Sequence, residues 1–260
     1  MKTMKSLIYL FSAAVMLVQG CSVKEDRGQC PCRFELDLSG IDTTKIKSVN
    51  VLAVIAEDVV FRDCIRAEDF SRGFVADVPH GDMCVNVWSG EDGKIEAGRL
   101  VRIPYGVECP PLYMHSFMAD TRGESVRVKV RLFKNHCRLS VQMQGQQAVP
   151  YSLTFKGGVD GYDMLGRPSS GDFSCVAYPG EDGASLALIP RQVDSSLLLE
   201  VDDGRGPYKV FAVGEYLDAA GYDWSASDLE DVSLVLDYYK TSVKIIVAGW
   251  DKEYVYDVIL

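Results

Sequence analysis

The chain is short of positive charge. Its 260 residues include 27 Lys and Arg against 37 Asp and Glu, three His, and a formal net charge of −10. Without an N-terminal leader that holds two lysines and no acids, 25 basic residues would face 37 acidic ones, a balance of −12. Proteins that bind nucleic acids neutralise phosphates with clustered Lys and Arg. The composition therefore argues against nucleic acid as a partner, and against attraction to anionic lipid surfaces.

Long apolar runs are also scarce. The only extended one is Leu7 to Val18, which follows Lys2 and Lys5. A membrane-spanning helix needs about 20 apolar residues, whereas a basic start followed by about 12 apolar residues is typical of a signal peptide. We predict that residues 1–20 are a removed export signal and not a permanent transmembrane anchor.

Catalytic and ligand-binding signatures are absent. The sequence has no H-E-x-x-H, G-x-S-x-G, Walker A, dinucleotide-binding glycine fingerprint, EF-hand loop or C-x-x-C pair. The histidines at positions 80, 115 and 136 have no spacing that indicates a shared metal. Acidic loops such as Asp160 to Asp163 are typical of a solvated surface, with a weak calcium site as the alternative. We predict no catalytic residues, no metal and no cofactor.

The cysteines give an incomplete disulfide framework. They are Cys21, Cys30, Cys32, Cys64, Cys84, Cys109, Cys137 and Cys175. An even number in an exported chain normally indicates disulfides, but seven remain if Cys21 carries lipid. Cys30-Pro31-Cys32 has one residue between its thiols where redox motifs have two, and no second ligand pair for zinc. A structural or long-range disulfide is the favoured use of this pair.

Val18-Gln19-Gly20-Cys21 resembles a bacterial lipobox, in which small residues give a signal peptidase access to the bond before a diacylated cysteine. Gln19 departs from the pattern, whereas Gly20 fits it. We predict cleavage before Cys21 and lipid on its thiol; the alternative is a cysteine that merely lies near an ordinary cleavage site. Residues 21–31 would form a lipidated flexible tether. Its Lys-Glu-Asp sequence resembles the acidic signal that sends surface lipoproteins of some Gram-negative anaerobes to the outer leaflet.

Period-two alternation dominates the rest of the chain. Phe34, Leu36 and Leu38 alternate with polar residues, as in a half-buried strand. Similar patterns predict strands at 49–55, 85–88, 126–132, 186–189, 197–201, 232–238, 243–247 and 254–259. Segments rich in Gly, Asp, Pro and Ser predict loops at 89–98, 156–172, 179–185 and 202–207. Helical periodicity is scarce, and only the capping-box spacing of Ser227 and Glu230 predicts a short helical turn.

An internal repeat indicates two domains. Cys32 to Gly40 and Cys137 to Gly145 share Cys-Arg, three alternating apolar residues and a closing Gly, at an offset of 105 residues. That offset is about the length of one antiparallel β-sandwich. We predict an all-β fold with one sandwich at 32–123 and a second at 124–260; a coincidental match between two amphipathic strands is the alternative.

Four stretches of the sequence resemble the fimbrillin-A associated anchor proteins, outer-membrane lipoproteins at the base of the protease-matured fimbriae of oral and gut anaerobes. They are the lipidated head at 21–27, the Cys30-Pro31-Cys32-Arg33 entry to the first strand, the mid-chain segments 128–132 and 139–145, and the tail from Gly221 to Trp250. The resemblance implies two transthyretin-like β-sandwich domains in tandem. It also implies a surface-exposed lipoprotein of the outer membrane that anchors a filament of fimbrillin-like subunits and limits its length.

Two functional hypotheses follow. The first is a fimbrial anchor or accessory lipoprotein that holds its partner through strand exchange, since a sheet edge can take up a strand of a neighbour. The second is a surface glycan-binding lipoprotein, for which Trp88, Trp224 and Trp250 would supply stacking platforms. Buried core positions for these tryptophans are the alternative.

Overall fold

The computed structural model describes residues 30–56, 58–89, 99–144, 151–180, 183–202, 204, 209–237, 242–247 and 254–257. Residues Met1–Pro31 separate from a compact unit formed by Cys32–Leu260. The predicted leader, Cys21 and the tether through residue 29 lie outside the described residues, as does Trp250. Within the described part, no helix is long and apolar enough to cross a membrane.

The described residues are mostly in β-strands, with one short α-helix, α1 (Val213–Ala219), and one 3₁₀ turn, Ala67–Asp69. The strands of the first half are β1 (Cys32–Asp37), β2 (Ser48–Ile55), β3 (Asp58–Arg66), β4 (Phe74–Val78), β5 (Asp82–Ser89), β6 (Arg99–Arg102), β7 (Tyr113–Asp120), β8 (Ser125–Lys129) and β9 (Phe133–Lys134). Those of the second half are β10 (His136–Gln144), β11 (Ser152–Asp163), β12 (Pro168–Ala177), β13 (Ala184–Pro190), β14 (Leu198–Asp202), β15 (Lys209–Phe211), β16 (Val232–Asp237), β17 (Ser242–Val247) and β18 (Tyr254–Asp257).

The described strands form four sheets, two in each half. In the first half the orders are β4-β1-β8 and β3-β2-β5-β7-β9. In the second half they are β13-β10-β16-β17-β18 and β12-β11-β14-β15, with β6 of the first half paired to β11. Each half encloses a core between its inward faces, with Phe34 and Val85 in the first and Phe155 and Leu234 in the second. The all-β prediction is confirmed.

The sheet topology supports the internal repeat. β1 lies between the antiparallel strand β4 and the parallel strand β8. β10 lies in the same way between the antiparallel strand β13 and the parallel strand β16. Both strands carry a fully buried cysteine near their start, Cys32 and Cys137. The pairs β1–β8 and β10–β16 are parallel, whereas the prediction had antiparallel sheets throughout.

Strand pairing crosses the predicted domain boundary in both directions. β8 and β9 follow residue 123 in sequence but pair with β1 and β7. β6 precedes residue 123 but pairs with β11. A division into domains at 32–123 and 124–260 stays a prediction.

The segment 156–172 is a long hairpin of β11 and β12, so the loop predicted there is wrong. Its glycines allow close approach of other groups within a sheet. A Cβ at Gly161 would lie 2.1 Å from the carbonyl oxygen of Val101, and a Cβ at Gly171 would lie 2.2 Å from the carboxyl carbon of Asp160. Register shifts between Gly157 and Gly161 bend the hairpin.

The tip of this hairpin packs against the outer face of the β2–β5 pair. Tyr162 is fully buried there and Met164 packs beside it. Their apolar neighbours come from β2, β5, β6, β7 and the residue before β7: Leu52, Val54, Cys84, Trp88, Leu100, Val101, Leu112 and Met114. The buried Asn86 donates from Nδ2 to the carbonyl oxygen of Met164 at 2.8 Å. β2 and β5 are therefore buried on both faces, which explains their nearly unbroken apolar sequences.

The helical turn predicted at Ser227 to Val232 is also wrong. The guanidinium of Arg191 donates to the carbonyl oxygens of Trp224, Ala226 (2.7 Å) and Ser227 (3.3 Å), which holds this segment in an irregular conformation. The helix lies earlier, at α1, whose buried residues Val213 and Leu217 are four apart on one face.

We predict that Gly161→Ala destabilises the protein by about 3 kcal/mol, because the added methyl group overlaps the Val101 carbonyl and forces backbone movement. Gly123→Ala is the matched control, since a Cβ there meets no atom within 4 Å. It should change the free energy of unfolding by less than about 0.5 kcal/mol. Urea unfolding of the mature protein measures both, and equal effects would contradict the close packing of the hairpin.

Candidate interaction site

The thiols that the structure describes are all free, so the disulfide predicted for Cys30 or Cys32 is wrong. Cys30 is exposed, whereas Cys32 lies in the core of the first half. Burial raises the pKa of the Cys32 thiol, and it raises those of Cys137 and Cys175 to about 12. These buried thiols stay protonated at neutral pH and pack as small apolar side chains.

The two tryptophans that the structure describes do not form a common sugar-stacking platform. Trp88 is 1% exposed and packs in the cluster beneath the hairpin tip. Trp224 is half-buried, with its ring edge-to-face against Tyr222 at 4.8 Å between centroids. Trp250 lies outside the described residues. Because Trp88 is almost fully buried, the two described tryptophans do not share an exposed stacking surface.

His136 and Asp163 have structural roles. Nδ1 of the buried His136 accepts a hydrogen bond from Leu112 N at 3.1 Å, and burial lowers the pKa of this imidazole. Asp163 accepts hydrogen bonds from the backbone N–H groups of Leu165 and Arg167, which fixes the hairpin turn. Across the described residues, no group of three or more His, Cys, Asp and Glu could hold a metal ion.

An irregular segment, residues 103–112, closes one side of the second half; we call it the strap. Gly106 N donates to Ser174 O on β12 at 2.9 Å, and Cys109 N donates to Leu188 O on β13 at 3.2 Å. Glu108 accepts from Leu188 N at 2.7 Å. The strap thus occupies part of the outer edge of β12 and of β13, where it limits pairing with another chain.

A cavity of about 700 Å³ lies between the strap and the first half. Its walls are largely apolar and include Trp88, Ile103 and Leu112. Lys47 and Glu108 are among the charged residues that line it. Apolar walls with a few charged groups are typical of a surface that binds a partner or a ligand.

Three of the longer strands of the first half leave a sheet edge open among the described residues. β3 pairs only with β2, and β4 and β8 pair only with β1. Each has five residues or more. Unpaired backbone groups on such edges can bind a strand from another chain. β8 is the most basic of them, with Arg127 and Lys129 both exposed.

Comparisons with known proteins show likeness in structure and not in sequence. No profile of a known protein family matches the chain, and no curated protein sequence matches it. Among solved structures, the fimbrial anchor protein Mfa2 from Porphyromonas gingivalis is 14% identical, with a TM-score of 0.57 over 85% of this chain and 98% of that one.

The chain shares its fold with the Mfa2 protein. A candidate polysaccharide-binding protein from Bacteroides thetaiotaomicron matches at a TM-score of 0.62 and 12% identity, over 88% of this chain and 98% of that one. A candidate adhesin from Bacteroides ovatus matches at 0.60 and 13%, over 86% of this chain and 96% of that one. Identities this low show a shared fold alone.

Proposed function

We propose that this protein is a fimbrial anchor or accessory lipoprotein, which attaches a surface filament to the outer membrane and limits its length. The observation that carries the proposal is the fold match to a fimbrial anchor protein over 98% of that protein's length. The β-sandwich fold of the adhesin-related neighbours supports a location at the cell surface. The protein works by holding its partners, and no reaction is part of the proposal.

Attachment to the membrane is assigned to Cys21. The protein's acidic surface repels anionic lipid, so charge does not hold it there. Each buried CH₂ of an acyl chain contributes about 0.8 kcal/mol, and one chain alone binds only marginally. The several chains of a bacterial lipoprotein give a durable anchor.

The partner is assigned to fimbrillin-like filament subunits, which meet the anchor at open sheet edges. A strand added to an edge makes main-chain hydrogen bonds along its whole length, while side-chain pockets supply specificity. Such a contact needs no cofactor. The presence of three open edges in the first half favours this mode of binding.

A second candidate function is binding of a surface polysaccharide. The match to a candidate polysaccharide-binding protein at a TM-score of 0.62 favours it. In this chain the binding site would be the 700 Å³ cavity at the strap, whose walls combine apolar side chains with the charged residues Lys47 and Glu108.

Deletion of the gene tests the filament hypothesis. We expect the mutant cells to shed filaments into the medium or to carry filaments of altered length, because the lost protein would hold their base. Electron microscopy and immunoblotting of cells and culture medium measure both effects, with a complemented strain as the control. Cell-bound filaments of unchanged number and length would contradict the proposal. Loss of polysaccharide binding with intact filaments would favour the second candidate.

Cys21→Ala tests the lipid anchor. We expect the variant to leave the membrane fraction, keep an altered leader and remain soluble in the periplasm, because the lipid site is removed. Cys30→Ala is the matched control, since it removes an exposed thiol nine residues away and leaves the lipid site intact. Fractionation and mass spectrometry of the N-terminus check both variants. Membrane retention of Cys21→Ala at the wild-type level would rule out the anchor.

A further inference from the structure

The internal repeat shows that one edge of the first half is open where the second half has a strand. β8 and β16 are equivalent, because each is the parallel neighbour of the first strand of its repeat. The other edge of β16 pairs with β17 in antiparallel register, from Val232 opposite Val247 to Asp237 opposite Ser242. No described strand pairs with the other edge of β8. The fold thus provides a strand position beside β8 that this chain does not fill with its described residues.

The backbone of β8 is oriented to accept such a strand. Glu124 O accepts from Arg33 N at 3.0 Å, and Val130 N donates to Asp37 O at 2.9 Å, which fixes the phase of the β1–β8 ladder. Alternate residues of a parallel strand bond to the same neighbour. The even-numbered residues from 124 to 130 therefore bond to β1, and residues 125, 127 and 129 direct their N–H and C=O groups away from it.

The side chains of β8 specify what the added strand must carry on each face. Val126 and Val128 pack against the core of the first half. On β17 the residues opposite the buried Leu234 and Leu236 are Ile245 and Val243, so the equivalent positions of a strand on β8 should be apolar.

The solvent face of β8 is basic and lies beside acids on β1. Arg127 and Lys129 are exposed, and Arg127 pairs with Asp37 of β1 at 3.3 Å. The Ser39 hydroxyl, with Arg127, holds the pKa of Asp37 below its usual range. Opposite charges on neighbouring strands stabilise a sheet, and like charges destabilise it. A strand on the other side of β8 should therefore present Asp or Glu on this face.

We propose that the open edge of β8 binds an antiparallel strand of a filament subunit, in which apolar residues alternate with Asp or Glu. The identity of the partner rests on the proposed function. The position of the contact on β8 rests on the internal repeat and on the charge pattern of this strand. β3 and β4 are also open edges, but their counterparts in the second half, β12 and β13, are covered by the strap and not by a strand.

Charge reversal on the open edge gives the first test. In the native strain, Arg127→Glu with Lys129→Glu should increase shed filaments at least tenfold while the protein stays in the membrane at its normal amount. The matched control, Arg66→Glu with Arg72→Glu, makes the same charge change at exposed positions near the end of β3 and the loop after it, and should leave retention unchanged. Retention by the β8 variant at the wild-type level would overturn the assignment.

A proline variant separates docking from folding. Arg127→Pro removes an N–H that points away from β1, and edge strands tolerate proline at such positions. It should melt within a few degrees of wild type and still shed filaments. Val128→Pro removes an N–H that bonds to β1 and should unfold the protein. Normal filament retention by a folded Arg127→Pro variant would contradict docking at β8.

Photo-crosslinking identifies the occupant directly. A photoreactive amino acid at Ser125 should crosslink to a filament subunit, at a peptide with alternating apolar and acidic residues, and the same group at Val75 on β4 should not. A crosslink from Ser125 to a second copy of this chain or to a glycan, or a subunit crosslink from Val75 alone, would overturn the proposal. If deletion of the gene releases filaments while the β8 variants retain them, the anchor role stands and the edge assignment fails. If deletion changes nothing, the filament subunit is the wrong partner and both fail.

Discussion

Docking of the β11–β12 hairpin tip on the outer face of β2 and β5 is the interaction on which the rest of the structure depends. It covers the apolar side chains of Leu52 and Trp88, which would otherwise face water, and it brings Tyr162 into full burial. Burying a large apolar side chain stabilises a protein by about 1.5–3 kcal/mol. The hydrogen bond from Asn86 to Met164 O fixes the direction of approach. Through this contact and the β6–β11 pairing, the two halves of the chain form one compact unit.

Because the hairpin covers the outer face of β2 and β5, it also determines which surfaces stay accessible to partners. The outer face of β2–β5 is covered, and the strap bonds to the outer edges of β12 and β13. Among the described residues, open edges remain at β3, β4 and β8 of the first half and at β15 and β18 of the second. β1 lies next to β8 and follows the predicted lipidated tether in sequence. A strand held at β8 would therefore be separated from β1 by β8 alone.

The sequence predicts a strand correctly where one face of the strand meets the core, because its own residues then alternate between apolar and polar. Alternation at Phe34 to Leu38 and the repeat at Cys137 both place central strands, because one face of each meets the core. Prediction from the sequence fails where a residue far away in the chain determines the local conformation. Gly161 and Gly171 look like turn residues, yet they make room for Val101 and Asp160. The capping-box spacing at Ser227 is overridden by the Arg191 guanidinium. The all-β pattern of the sequence predicts that a partner could bind at a strand edge. Only the sheet topology identifies β8 as that edge, because the pairing of strands shows that β8 is equivalent to β16.

Unification of the two halves by the hairpin is the central structural claim, and native-state hydrogen exchange of the mature protein tests it most directly. Amides in the most stable cooperative unit of a protein exchange through its global unfolding. If the hairpin joins the halves, the protected amides of β2, β5 and β11 should exchange with one common free energy of opening. Exchange of the β11 amides at a clearly lower free energy, while those of β2 and β5 stay protected, would show two independent sandwiches and contradict the account.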